Sequence, residues 1–250
     1  QIAAYNSASA ALSLGEWAWL DTIVEDLIDE EMAAADRAMG AVMVTAFRAA
    51  RGQPRQDLLE YLRASDRTET VAQIMFDTAE AHDAVAEGRY EEAISRFRTG
   101  DWGTGASENL MMPTHLASWI RDQATLEELS STVRRLGHHG ATADALLLTI
   151  DAALAALRGA ADEALETYER ALDAWRTLTM RFQEALVGID MAALLDQRRP
   201  EVRAAMATSR SILSELGARP FLDRLDALTA EDAIPARTEP VPVADSEVPA

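Results

Sequence analysis

The chain has 250 residues, 48% of them hydrophobic but only 6% aromatic, and its apolar content is mostly Ala and Leu. That composition supplies one or two helical cores and argues against an all-β fold. All 23 basic residues are Arg, with no Lys and no Cys, which removes phosphate-loop and Schiff-base lysines, thiol nucleophiles, disulfides and cysteine metal sites together.

A formal charge of −19 sets the chain against phosphate backbones and anionic lipid surfaces, so neither nucleic acid nor membrane is an expected partner. The Arg134-Arg135 and Arg198-Arg199 runs, the second between Asp196 and Glu201, read as solvated helix ends. No apolar stretch reaches ~18 residues without a charge, and no signal-peptide pattern opens the chain; a cytoplasmic protein is the expectation. Gln1 leads straight into a helical segment, which reads as a piece of a longer polypeptide or as a matured or trimmed chain.

In chain order, Ile2 to Leu14 reads as a helix that ends in the turn Leu14-Gly15-Glu16-Trp17, with Leu20 and Val24 at +5 and +9 from the glycine. The acidic groups Glu25-Asp26 and Asp29-Glu30-Glu31 read as late in the second helix, on a solvated face. A second turn falls at Gly52. The third, at Gly88, is followed by Ala93 and Phe97, again at +5 and +9. Gly100, Gly103 and Gly105 fall in a segment whose spacing is wrong for a dinucleotide fingerprint, and it reads as a linker. Further turns are predicted near Arg121-Asp122-Gln123, in Leu136-Gly137-His138-His139-Gly140, at Gly159 and over Gln197-Arg198-Arg199-Pro200.

After Gly159, Ala164 and Tyr168 repeat the +5 and +9 positions, and Ile189-Asp190-Met191-Ala192-Ala193-Leu194 echoes Ile150-Asp151-Ala152-Ala153-Leu154 at an offset of 39. The glycine turns at 15, 52, 88 and 159 are spaced 37, 36 and 71 apart, the last close to two periods. Each unit places a small residue where two helices approach and a large apolar one where the next pair docks.

These units resemble the tetratricopeptide repeat family, most strongly over residues 88–98 and 159–172, and more weakly over 11–28, 52–62 and 180–216. The resemblance implies an all-α fold over residues 1–230: a right-handed α-solenoid of about six antiparallel helix pairs with a C-terminal capping helix. Each unit would touch only its neighbours, giving a quasi-one-dimensional stack with frayed ends. Residues 231–250, rich in Pro, Ala and acids, read as a flexible or extended tail. The segment from Ile212 to Leu225 is similar to the closing repeat and cap of multidomain bacterial signalling proteins, among them cyclase-linked ATPases and ATP-binding transcriptional activators.

The residues assemble no recognisable catalytic or metal motif. None of His82, His115, His138 and His139 has a Glu three residues before it, so neither Glu-x-x-His nor His-Glu-x-x-His occurs; no cofactor or metal is expected. Asp151 and Asp190, with Asp77 as a third member, sit in apolar runs and are predicted to be buried structural carboxylates with Arg partners. Gly88, Gly159, Ala93 and Ala164 are predicted to be structural as well.

The tetratricopeptide resemblance places Tyr5, Met39, Met75, His82, Asn109, Met112, Trp119 and Thr149 on a concave wall, with packing between helices as the competing role for the Met and Trp residues. Two functions remain. The first is a non-catalytic module that binds a protein or peptide, or an upstream domain of the same polypeptide, in the groove. The second is a domain that closes around a small effector and controls an attached cyclase, ATPase or activator.

Overall fold

A computed structural model of the chain describes residues 2–29, 31–65, 70–99, 108–135, 137 and 139–232. The described residues form thirteen helices and no strand. The first six are α1 (Ile2–Leu14), α2 (Trp17–Ile23), α3 (Ala34–Arg51), α4 (Gln56–Ala64), α5 (Thr70–Ala86) and α6 (Tyr90–Thr99). They are followed by α7 (Glu108–Trp119), α8 (Gln123–Arg135), α9 (Ala141–Leu157), α10 (Ala161–Thr177), α11 (Arg181–Leu194), α12 (Pro200–Leu216) and α13 (Arg219–Asp232).

The described residues are therefore of the all-α class, and from α1 to α12 each odd-numbered helix packs on the even-numbered one that follows it. Gly15, Gly52, Gly88 and Gly159 all adopt positive φ at the predicted turns. Arg121 takes φ 59° between α7 and α8, doing with a side chain what glycine does elsewhere. Ala93 and Ala164, at the +5 positions, are fully buried. The helix-breaking Asp122 caps α8 by accepting the Thr125 N–H at 3.1 Å. The sequence reading of the acids after α2 needs correction: α2 stops at Ile23, and Glu25, Asp26 and Asp29 follow its end. Gly100–Gly105, His138 and most of the 231–250 segment lie outside the described residues, although α13 continues to Asp232.

One expectation fails in an informative way. A stack whose units touch only their neighbours keeps its ends apart, yet here α1 packs on α11 and α3 packs on α13. Trp17 from α2 meets Phe47 of α3 and Phe182 of α11, with ring centroids 5.7 and 5.1 Å away. Phe182 in turn sits edge-on to Phe221 of α13 at 5.1 Å. Burying such rings contributes roughly 2–3 kcal/mol each. At Gly52, the left-handed cap of α3 (φ 67°), the Pro220 Cδ lies only 3.3 Å from where a Cβ would stand. A side chain there would strain the turn and push α13 off α3. The Arg51 guanidinium closes the seam, bonding Asp21 at 2.9 Å and lying over the Phe47 ring.

The helices that come first in each pair consequently pack on one another in the middle of the molecule. α11 approaches α12 closely at Gly188, where a Cβ would collide with the Ser209 hydroxyl and lie 2.9 Å from the Ala205 carbonyl of α12. We expect Gly188→Ala to lower stability by about 1–3 kcal/mol. Adding Ser209→Ala should recover part of that loss in a double-mutant cycle followed by urea unfolding; an additive pair would contradict the contact.

Candidate functional site

The central helices do not fill their shared space. A cavity of about 150 Å³ remains, lined by α1, α3, α5, α7, α11 and α13. These are the first helices of five pairs together with the final helix, so elements from both ends of the chain build one site. Three of these helices contribute a stripe at helical spacing: Ser9, Leu12 and Ser13 from α1, Ala46, Ala49 and Ala50 from α3, and Thr78, His82 and Val85 from α5. Met111 and Met112, Phe182 and Gln183, and Phe221 complete the wall. None of the sixteen lining residues carries a formal charge at neutral pH. The small Ala residues of α3 open the space, and the rings and thioethers give it an apolar, polarisable surface.

Two polar groups stand out on that wall. The His82 ring packs edge-on to Phe97 at 5.2 Å and makes no hydrogen bond among the described residues. Burial lowers its pKa to about 4, so the imidazole is neutral at physiological pH. Gln183 is nearly buried, and its Oε1 faces His115 Nε2 at 3.1 Å. Its amide nitrogen has no hydrogen-bond partner among the described residues, and Gln183 is one of the residues that line the cavity.

Behind Gln183 runs a fully buried polar chain. His115 Nδ1 meets Asp190 Oδ2 at 2.7 Å, and Trp119 Nε1 donates to Asp190 Oδ1 at 2.7 Å. His115 and Trp119 are four apart on α7, while Gln183 and Asp190 are seven apart on α11, so each pair shares one helix face. Burial pushes the Asp190 carboxyl above the usual carboxylate range, opposed by the His115 charge and by hydrogen bonds from His115 and Trp119. The Tyr168 hydroxyl is also buried and has no partner among the described residues; burial and the Asp190 charge push its pKa well up. A His–Asp pair has the geometry of a general-base dyad. Here both side chains are 0% exposed and the ring's second nitrogen ends on Gln183, so the pair holds helices together.

The sequence candidates are distributed unevenly over this arrangement. His82 and Met112 share the cavity, while Met39 and Met75 are half-buried on α3 and α5. Trp119 is 4% exposed, and Thr149 is fully buried, accepting the Trp175 Nε1–H at 3.0 Å. Tyr5 and Asn109 lie in α1 and α7, with side chains outside the described set. Asp151 was expected to be buried, but its side chain is 46% exposed and pairs with Arg134 at 3.0 Å. Asp190 is buried as expected, but its partners are His115 and Trp119 in place of Arg. Asp77 accepts from Gln73 at 3.0 Å and lies 3.8 Å from Arg96. The sequence reading missed His115 as a partner and Gln183 altogether; the signal available was their helical spacing from Trp119 and Asp190.

Among the described residues no helix is long and apolar enough to cross a membrane, and no group of three or more His, Asp or Glu side chains is placed to hold a metal ion.

Because His82 binds its proton less readily folded than unfolded, it contributes stability that is fully present above about pH 6.5 and lost as the pH falls toward 4. The loss is on the order of 2–3 kcal/mol. We expect His82→Leu to flatten that part of the urea-unfolding profile between pH 7 and 4.5; an unchanged slope would contradict the assignment. Tyr168→Phe removes a hydroxyl that no described protein group satisfies, and should raise stability by about 1 kcal/mol in the same assay.

No protein-family model matches the chain, and comparison with the curated proteins and with the solved structures gave no match, so the tetratricopeptide resemblance rests on its turn spacing and small-residue pattern alone.

Proposed function

We propose that the chain is a non-catalytic regulatory module of a larger bacterial signalling protein, a tightly wound α-solenoid of tetratricopeptide-like pairs that senses a small effector in its interior. The observation that carries this reading is the cavity walled by α1, α3, α5, α7, α11 and α13. A ligand there touches both ends of the chain at once, so its binding energy bears on whether those ends stay together. That is the property a sensor needs in order to act on whatever is attached to it.

Peptide capture in an open groove, the other function the sequence suggested, has less support. α13 packs on α3, α11 and α12, and Arg224 reaches from α13 to the Trp119 carbonyl at 3.3 Å and lies over the Tyr90 ring. An extended peptide on the Trp119 side would first have to displace that helix.

A thermal-shift screen of charged and uncharged compounds small enough for the cavity tests the proposal. At least one chemical class should raise the melting temperature and slow amide exchange in both α1 and α13. If no class does so, and removal of α13 creates peptide binding, the groove reading replaces this one.

A further inference from the structure

The cavity wall also restricts what can occupy it. Resting on the sensing role proposed above, we infer that the ligand is a compact, uncharged ring compound bearing a single hydrogen-bonding hydroxyl or carbonyl group, in the size range of phenol. The volume, about 150 Å³, is enough to take one benzene-sized ring. An ionised ligand would lose its hydration and meet no opposite charge on the wall. An anion faces the further cost of a chain whose net charge is −19.

An entirely apolar ligand fits less well, because it leaves polar groups of the wall unanswered, His82 and Gln183 among them. The neutral His82 imidazole offers one donor and one acceptor, and the Gln183 amide nitrogen offers a donor. A ring carrying one oxygen can lie against Phe182, Phe221 and Met111 while its polar atom reaches His82 or Gln183. Burial is then matched by a hydrogen bond, as a site that discriminates on a single polar group requires.

Three probes separate the outcomes: phenol, benzene and benzoate, each titrated into the purified chain at pH 7 with melting temperature and ligand-observed NMR as readouts. Phenol should raise the melting temperature by about 5 °C or more near saturation, benzene should do so more weakly, and benzoate should leave it unchanged. Ala46→Leu, which fills the cavity from α3, should abolish the phenol response while the variant stays folded by circular dichroism. His82→Leu should lower the preference for phenol over benzene by about 3- to 10-fold. Equal or stronger binding of benzoate would overturn the ligand class and leave the sensing role standing. A phenol response that survives Ala46→Leu would overturn the assignment of the ligand to this cavity. Silence from all three probes, together with silence from the wider compound screen, would remove both readings.

Discussion

A carboxylate taken out of water needs compensating charge or hydrogen bonds, and the way Asp190 meets that requirement organises the middle of the molecule. No arginine among the described residues reaches it. Its two oxygens are held from the opposite helix by the imidazole of His115 and the indole N–H of Trp119, both at 2.7 Å. Because these donors are one turn apart on α7, they fix the rotation of α7 as well as its distance from α11. With that register set, Gln183 is carried to the cavity on one side, and the Trp119 ring meets Tyr90 and Phe221 on the other. A polar network buried to this depth is specific because any partial rearrangement leaves a donor or the carboxylate unpaired.

The same helix joins the two themes of the fold. On its outer side α11 admits α12 closely because Gly188 has no side chain. On its inner side it meets α1, α7 and α13. The cavity lies where these central helices would need larger residues than the Ala side chains of α3 to close completely. It is a consequence of helix spacing set elsewhere, by the Asp190 network and by the aromatic seam of Trp17, Phe47, Phe182 and Phe221.

The helix-turn-helix pattern was legible in the sequence because it is local. Glycines at regular spacing, with Ala at +5 after Gly88 and Gly159, mark turns and packed faces within some twenty residues of each other, and positive φ at Gly15, Gly52, Gly88 and Gly159 follows. Even Arg121, where no glycine signals the turn, could be located from the period. The site was much less legible, because each part of it depends on partners far apart in the chain: His115 and Asp190 are separated by 75 residues, and Trp119 and Arg224 by 105. Asp151 and Asp190 illustrate the limit. Their local sequences echo each other, yet one is half in water beside Arg134 and the other is sealed in the core. An apolar run records that a helix is packed, and leaves open which of its faces the next helix will cover.

The meeting of the two ends also sets the order in which the molecule can be made. In an open repeat array an early unit finds its neighbour as soon as that neighbour leaves the ribosome. Here the rings of Trp17 and Phe47 rest against a seam that needs Phe182 and, beyond it, Phe221. At usual rates of synthesis the second half of that seam arrives on the order of ten seconds or more after the first. Through that interval the nascent chain displays an unfinished apolar face, for which a chaperone is the natural shelter. A chain that stops short of α13 keeps the contact of Trp17 with Phe182 but leaves α3 without one of its packing partners and Phe182 without Phe221.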